Sequence, residues 1–339
     1  MYESFFGLNA RPFDLTPSPK FLVLSESHRE ALRNLEYGIE SRKGITLLIG
    51  EAGAGKTTII RTAVEKQSTR VHCVHLNNPT LTREEFVEML ATKFSLSERA
   101  SESKAQLLLE LEGLLNERRS QGETTVLIVD EAQSLSLELL EEIRLLANME
   151  TNDGKLMSVI IAGQPELANR LNEREMRQLK QRVALRCELR PLTHLETEVY
   201  VAGRIRAAGG VGAAVFTREA VALLHQVSRG LPRTINVIAD NALLGGFAAG
   251  VRPVGSAIVT EVCRDFDLLA PAPLKAPGTP RLPVAPPGSV PSSVRAEDAD
   301  VVVRSVGHDQ RRPEAETSGT GEMFGAFSAR RKRFSFFWN

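Results

Sequence analysis

One octapeptide constrains this chain more than any other feature of its sequence. Residues 50–57 read Gly-Glu-Ala-Gly-Ala-Gly-Lys-Thr, which completes the phosphate-loop pattern G-x-x-x-x-G-K-[ST]. Glycines let the backbone curl so that its N–H groups converge on phosphate oxygens. In such a loop the Lys56 ammonium reaches the β- and γ-phosphates, and the Thr57 hydroxyl ligates Mg²⁺. The pattern therefore predicts a site for a nucleoside triphosphate.

The segments on either side of the octapeptide support this interpretation. Residues 45–49 form an apolar run that predicts a buried strand, and residues 58–64 predict a helix that leaves the loop. The N-terminus of that helix would face the phosphates and favour their negative charge. A glycine-rich turn before an ordinary helix is the alternative. The residues expected to hold ATP are Gly50, Glu51, Ala52, Gly53, Ala54, Gly55, Lys56, Thr57 and Thr58.

Composition and length exclude several other classes of protein. The 339 residues, 42% of them hydrophobic, suffice for one sizeable core and a smaller domain. The formal net charge of +0 provides no overall field that would attract nucleic acid. Cys73, Cys187 and Cys263 are too scattered for a disulfide framework or a zinc site. Neither an export signal nor an apolar stretch of about 20 residues is present, so we expect a cytoplasmic protein.

Apolar runs alternate with amphipathic helical stretches over the first part of the chain. The strand candidates are Ile45–Ile49, Val71–Leu76, Thr125–Val129, Met157–Ala162 and Val183–Leu189. The helical stretches between them include Arg83–Phe94, Lys104–Arg118 and Leu137–Ala147. Apolar strands that alternate with helices predict an α/β fold, with a five-stranded parallel sheet flanked by helices on both faces.

The pattern changes after Leu192, and again near Ala270. Four helices are predicted after Leu192, namely Leu195–Ala208, Thr217–Ser228, Pro232–Ala249 and Ser256–Phe266. Later residues are rich in proline and then polar, a composition that cannot bury enough apolar surface to fold. We expect an α/β nucleotide-binding domain over 1–192, a small all-α lid domain over 193–269, a disordered Pro-rich linker over 270–329 and a basic-aromatic tail over 330–339.

A second apolar strand ends in two carboxylates. Residues 126–131 read Val-Leu-Ile-Val-Asp-Glu, and a strand that delivers Asp130 beside the loop would supply the other anchor for Mg²⁺. Glu131 could then polarise a water for attack on the γ-phosphate. A strand end that simply enters solvent is the alternative. Gln164 follows the next strand and could orient that water, although a turn amide that caps the following helix is the competing interpretation.

Two arginines complete the set of candidate site residues. Arg182 lies just before the last strand, where it could project into a neighbouring subunit's nucleotide and stabilise transition-state charge. Arg177 and Arg186 compete for that role, and a plain surface salt bridge is the other alternative. Arg233 lies in Gly230–Asn236, which opens a helix of the lid, and would point back towards the phosphates.

As a set, these motifs resemble the AAA+ ATPases. The strings that carry the resemblance are Gly50–Thr57, Asp130–Gln133, Gly163–Leu167, Gln181-Arg182 and Gly230–Asn236. The opening residues, among them Phe6-Gly7-Leu8, Arg11-Pro12-Phe13 and His28–Ala31, are similar to the general secretion pathway protein A (ExeA-type) branch, in which they line the adenine pocket. The resemblance implies Walker A roles for Lys56 and Thr57, Walker B roles for Asp130 and Glu131, sensor 1 for Gln164, the arginine finger for Arg182 and sensor 2 for Arg233.

The resemblance also implies what such a protein does. We expect a homo-oligomeric, Mg²⁺-dependent ATPase that remodels or regulates a secretion, pilus or polysaccharide assembly complex, with an inner-membrane or envelope protein as partner. The tail over 330–339 could dock on an anionic membrane surface, at the inner face of the cytoplasmic membrane, or in a groove of a partner protein, or it could be a solvated end. The alternatives are a DNA-associated AAA+ regulator of the transposition or replication-initiation type and a nucleotide switch that hydrolyses slowly. Neutral net charge argues against nucleic acid, whereas the Arg-rich segment 170–182 favours it.

Overall fold

The structure is a computed structural model that describes residues 1–16, 21–67, 70–76 and 81–268. The predicted linker over 270–329 and the predicted tail over 330–339 lie outside the described residues.

Five of the strands form one parallel sheet, as predicted. In chain order the strands are β1 (Ile45–Gly50), β2 (Val71–Leu76), β3 (Thr124–Val129), β4 (Glu150–Thr151), β5 (Gly154–Lys155), β6 (Met157–Gly163) and β7 (Val183–Leu189). The sheet has the order β2-β3-β6-β1-β7, and β4 and β5 form a separate two-stranded hairpin. All residues of β1 and β6 are buried because both strands lie inside the sheet, whereas β7 lies at an edge and alternates between buried and exposed side chains.

The helices of the described residues cover the sheet and then form a layer of their own. In chain order they are α1 (Tyr2–Phe5), α2 (Glu26–Glu40), α3 (Lys56–Glu65), α4 (Arg83–Lys93), α5 (Glu98–Glu102), α6 (Lys104–Ser120), α7 (Leu137–Ala147), α8 (Pro165–Arg170), α9 (Arg177–Arg182), α10 (His194–Ala207), α11 (Gly212–Val215), α12 (Arg218–Ser228), α13 (Pro232–Ala248) and α14 (Ser256–Asp265). The short helix α11 was not predicted. One isolated bridge between Phe216 and Val254 also lies in this otherwise helical part.

The helices α2 and α3 place the phosphate loop over a buried layer of the sheet. Leu35 on α2 and Ile60 on α3 share one apolar core with Leu48 on β1 and Ile160 on β6. Burial of such side chains contributes about 1.5–3 kcal/mol each. Since β1 ends in this core, the loop that follows it starts from a fixed position.

The helices α10 to α14, here called the helical layer, share one apolar core with the first residues of the chain. Tyr2, Phe6, Leu8 and Phe13 are buried in the same apolar core as residues of α10, α12, α13 and α14. The buried Arg204 on α10 donates to the carbonyl groups of residues 12 and 14 as well. The N-terminal residues are therefore part of the core that lies beyond the last strand of the sheet.

Candidate nucleotide site

The phosphate loop curves because two of its glycines have left-handed backbone conformations. Gly53 has φ +78° and Gly55 has φ +99°, a region that residues with a side chain rarely adopt. Gly55 is the N-cap of α3, so the helix begins at Lys56, two residues earlier than predicted. As a result both Lys56 and Thr57 lie in the first turn, where free backbone N–H groups and the helix dipole favour an anion.

Lys56 lies inside the curve of the loop. The residue is 4% exposed, and its ammonium group donates to the carbonyl oxygens of Gly50 at 2.9 Å and Glu51 at 3.2 Å. These two bonds satisfy a buried charge that would otherwise be costly. The loop thus holds the ammonium group next to the N-terminus of α3.

Thr57 on α3 and Asp130, which follows β3, meet at the edge of the sheet where β1 and β3 end. The Thr57 hydroxyl donates to Asp130 Oδ2 at 2.6 Å, and Asp130 Oδ1 accepts from the Glu131 backbone N–H at 2.9 Å. Two hard oxygen ligands are thereby brought together beside the phosphate loop. This donor set suits Mg²⁺, which is usually held by one or two protein oxygens together with phosphates and water.

Glu131 and Gln164 also meet, at the ends of the neighbouring strands β3 and β6. Glu131 Oε2 accepts from Gln164 Nε2 at 3.3 Å and from Gln133 Nε2 at 2.6 Å. Burial raises the pKa of Glu131, but the two amide bonds and the charge of Lys56 outweigh it and hold the pKa below its usual value. Glu131 is therefore a carboxylate at neutral pH, which general-base catalysis needs.

His28 on α2 contacts the backbone of the phosphate loop. Its Nε2 lies 2.9 Å from the Ala54 carbonyl oxygen, and its Nδ1 lies 2.6 Å from the Ser25 hydroxyl. A carbonyl only accepts, so Nε2 carries the proton and the Ser25 hydroxyl donates to Nδ1. Burial lowers the pKa of His28, although the bond to Ala54 works in the opposite direction, so the ring stays neutral. The sequence singles out His28 only as part of the N-terminal signature, and it does not predict the contact of His28 with the loop.

Arg233 meets the loop from the helical side. Its backbone N–H donates to the Gly53 carbonyl at 3.2 Å, and its side chain lines the cleft beside Lys56 and Thr57. Pro232 occupies the first turn of α13, where the missing N–H costs no hydrogen bond. The structure thus places Arg233 on the same cleft as the loop.

The cleft has a volume of about 310 Å³ and is lined by residues of other segments as well as by the loop. These residues are Leu15, Phe21, Leu22, Val23, Leu192, Tyr200, Arg204, Pro232 and Asn236. Arg204 Nη1 donates to the Tyr200 hydroxyl at 2.9 Å, and that hydroxyl donates to Asn236 Oδ1 at 2.9 Å. The cleft thus combines phosphate contacts from the loop with apolar and aromatic groups from these other segments, which suits a nucleotide.

Comparison with known proteins identifies this arrangement. Residues 39–171, which run from the end of α2 to the end of α8, match the family described as an AAA domain. The chain is also 41% identical over 251 residues to general secretion pathway protein A of Aeromonas hydrophila. The chain is an AAA-domain protein related to general secretion pathway protein A. The alignment covers 74% of this chain and 46% of the relative, so this chain spans about half the length of that protein.

Solved structures share the fold of this AAA-domain protein. ORC2 of Aeropyrum pernix, solved as ADPNP and ADP complexes, has a TM-score of 0.57 at 17% identity, over 76% of this chain and 72% of that one. Cdc6p of Pyrobaculum aerophilum has a TM-score of 0.58 at 16% identity, over 75% and 70%. A Walker-type ATPase of Pyrococcus abyssi has a TM-score of 0.53 at 18% identity, over 76% and 77%. At these identities the likeness shows a shared fold.

The structure does not bring the candidate Arg182 to the cleft. It is exposed at the end of α9, immediately before β7 begins at Val183. Val183 pairs with Ile45, and Leu189 pairs with Gly50, so the whole length of β7 separates Arg182 from the loop. At about 3.3 Å per residue this distance is roughly 20 Å, too far for an arginine to reach its own subunit's nucleotide.

Among the described residues, no helix is both long enough and apolar enough to pass through a bilayer.

The three cysteines are free thiols. Cys187 and Cys263 are buried and Cys73 is half-buried, and burial raises the pKa of Cys187 to about 11. These cysteines are therefore inert at neutral pH and belong to the packing of the protein.

Proposed function

We propose that this protein hydrolyses ATP in the cleft and uses the resulting change at the phosphates to move its helical layer. One observation carries the proposal, namely the 2.6 Å contact between Thr57 and Asp130 next to the curved loop. A hydroxyl and a carboxylate that meet beside a phosphate loop form the protein side of a magnesium–nucleotide site. Thr57 and Asp130 would hold the ion, which when bound neutralises phosphate charge.

The other residues of the cleft have distinct tasks in this proposal. Lys56 now donates to two loop carbonyls, and its ammonium group would turn to the β- and γ-phosphates when ATP enters. Glu131 would accept a proton from the attacking water, and Gln164 would orient that water. Residues 50–58 would surround the phosphates with backbone N–H groups.

Movement of the helical layer follows from where Arg233 lies. Arg233 lies in the first turn of α13, and its side chain lines the same cleft as Lys56. A guanidinium group is attracted to the γ-phosphate and loses that attraction when the phosphate leaves. The angle between the helical layer and the sheet would therefore depend on which nucleotide is bound.

We further propose that the protein acts as a homo-oligomer. Arg182 lies far from its own cleft and is exposed, so we propose that it acts on the nucleotide of a neighbouring subunit. An arginine supplied in this way stabilises the charge that develops during phosphoryl transfer. We propose that each subunit divides into domains over 1–192 and 193–269, with the cleft between them, and that the first residues of the chain pack on the second domain.

The pathway is proposed from the relative. General secretion pathway protein A shares 41% identity with this chain over 251 residues, and its name places it in secretion. We propose that the protein here acts from the cytoplasm, at the inner face of the cytoplasmic membrane, on a protein of an envelope-assembly complex. The segment 330–339 would contribute basic and aromatic side chains to that contact.

Replacement of Glu131 by Gln tests the proposed chemistry. We expect Glu131→Gln to bind ATP as the natural protein does, while kcat falls by roughly 10²–10⁴-fold. Glu138→Gln is the matched control, because Glu138 is an exposed glutamate in the first turn of α7. Hydrolysis by Glu131→Gln at the rate of this control would refute the assigned base.

A DNA-associated ATPase is the second candidate. Arg174, Arg177 and Arg182 are all exposed on the segment before β7, where a phosphate backbone could reach them. If DNA is the partner, duplex DNA will stimulate ATP hydrolysis, and the stimulation will fall steeply as salt is raised. Replacement of Arg174 and Arg177 by glutamine would then abolish the stimulation without lowering the basal rate.

A further inference from the structure

We propose that Gln133 is a positioning residue that sets the direction of the Glu131 carboxylate and couples it to the tip of β6. The inference rests on the proposed function, since it concerns the base of that reaction. Gln133 follows the carboxylate pair in a 3-10 turn over Ala132–Ser134. Its side chain contacts both residues that the proposed reaction places around the attacking water.

The amide of Gln133 makes two different hydrogen bonds. Its Nε2 donates to Glu131 Oε2 at 2.6 Å, and its Oε1 accepts from the Gln164 backbone N–H at 3.1 Å. A carboxylate can only accept and a backbone N–H can only donate. The two partners therefore allow one orientation of the amide, and no other side chain of this length offers a donor and an acceptor in the same plane.

The turn that carries Gln133 is itself held in place. Arg170 Nη1, at the end of α8, donates to the carbonyl oxygens of Gln133 at 2.7 Å and Leu135 at 2.9 Å. Bonds from a charged donor are stronger than those from a neutral one. Because α8 begins directly after Gln164, the turn after β3 and the turn after β6 are joined at two points.

Gly163 leaves the space that the amide needs. A Cβ atom at this position would lie 3.1 Å from Gln133 Oε1 and 2.6 Å from Leu167 Cδ2. The close approach of Gln133 to the end of β6 thus depends on the absence of a side chain there.

Glu131 needs such a support because its backbone is strained. It has φ +53°, in the left-handed region that residues other than glycine seldom adopt. Strained residues persist where the surrounding structure holds them. Both amide bonds go to Oε2, and among the described residues no donor is bonded to Oε1. Gln133 would thereby hold one oxygen and leave the other for water in the cleft, which Glu131 lines.

Three replacements of Gln133 test this inference in the full chain by steady-state ATP hydrolysis. We expect Gln133→Ala and Gln133→Met to lower kcat by roughly 10–100-fold, which corresponds to one lost hydrogen bond to a charged group. The KM for ATP and the affinity for ADP should not change, because Gln133 contacts neither Lys56 nor the loop. Gln133→Glu should be the slowest of the three, since it places a second carboxylate against Glu131.

This order of rates separates positioning from simple packing. If Gln133 only filled space, methionine and glutamate would both be close to the natural protein, and only alanine would be slow. Gln121→Ala is the matched control, because Gln121 is an exposed glutamine at the end of α6. Its kcat should equal that of the natural protein.

A second route avoids any change at Gln133. Arg170→Met releases the turn from α8 without touching the carboxylate, so kcat should fall with KM unchanged even if the Gln133 variants do not fold. The inference is overturned if Gln133→Met and Arg170→Met both hydrolyse ATP within about twofold of the natural protein. A twofold change in rate corresponds to a free energy well below the contribution of one hydrogen bond to a charged group. If the natural protein itself does not hydrolyse ATP, it is the proposed function that fails.

Discussion

The backbone N–H of Arg233 donates to the Gly53 carbonyl at 3.2 Å, and this bond joins the first turn of α13 to the phosphate loop. The two residues are 180 positions apart in the chain, yet a Cβ atom on Gly53 would lie only 2.7 Å from Arg233 Cβ. The helical layer therefore rests directly on the loop that would hold the phosphates.

Gly53→Ala should disrupt this contact. The new Cβ would clash with Arg233, and φ +78° is strained for alanine by about 1–2 kcal/mol. We expect a lower melting temperature and weaker ATP binding, measured by calorimetry. Gly113→Ala is the control, because Gly113 lies in the interior of α6 and nothing lies within 4 Å of its added Cβ. That change should stabilise the protein by roughly 0.5–1 kcal/mol and leave ATP binding unchanged. Equal ATP affinities for the two variants would contradict the account.

His28 should make stability depend on pH in a defined direction. Burial lowers the pKa of folded His28 below its usual 6.5, although the Ala54 carbonyl and Glu196 work in the opposite direction. Between these two values the unfolded chain binds more protons, so the free energy of unfolding falls as pH falls through 6.5 towards the folded pKa.

The His28 contribution can be isolated by difference. Burial also lowers the pKa of His75 and His225, so the natural protein alone mixes several groups. We expect urea unfolding of His28→Gln, whose amide can still donate to Ala54, to show a smaller loss of stability between about pH 7 and 5 than the natural protein. Identical pH dependence of the two proteins would show that His28 is not neutral in the folded state.

Tyr200→Phe should destabilise the part of the cleft that lies outside the phosphate loop. The hydroxyl accepts from Arg204 and donates to Asn236, and Arg204 also donates to the Pro12 carbonyl. Its loss leaves buried polar groups without a partner, at a cost of about 1–3 kcal/mol. We expect a lower melting temperature. We also expect both ATP and ADP to bind more weakly, because the change lies outside the phosphate loop and so affects the two nucleotides alike. Tyr37→Phe, at a half-exposed position on α2, is the control. A Tyr200→Phe protein with the melting temperature of this control would contradict the assigned network.

Much of the sheet and of the phosphate end could be predicted from the sequence. The loop and the Asp130-Glu131 pair are contiguous strings that follow apolar strands, and parallel strands end at the same edge of a sheet. For that reason the contact between Thr57 and Asp130 was foreseeable from local patterns alone.

The remaining contacts depend on residues far apart in the chain. Arg204 meets the Pro12 carbonyl across 192 positions, and His28 meets Ala54 across 26. Phe6 and Phe13 pack into the helical core, and nothing in their local sequence distinguishes this from packing on the sheet. The role of Gln133 depends on one side-chain orientation, which periodicity and spacing do not encode.

Arg182→Ala should act only between subunits. We expect its ATPase rate to fall by about 10³-fold or more, as for other arginines supplied by a neighbour. Mixing Arg182→Ala with Lys56→Ala should restore part of the activity, because some interfaces then pair an intact loop with an intact arginine. Arg174→Ala, at another exposed position in the same segment, is the control and should retain the natural rate. If mixing restores nothing while both variants assemble, Arg182 does not act across the interface.

The most direct test of the account is calorimetric titration of the protein with ATP, with and without Mg²⁺. Since Thr57 and Asp130 lie 2.6 Å apart beside the loop, we expect Mg²⁺ to tighten ATP binding in the natural protein. In Asp130→Ala this strengthening should be lost while ATP alone binds as before. The account is contradicted if neither ATP nor ADP binds when Mg²⁺ is supplied, or if Asp130→Ala responds to Mg²⁺ as fully as the natural protein.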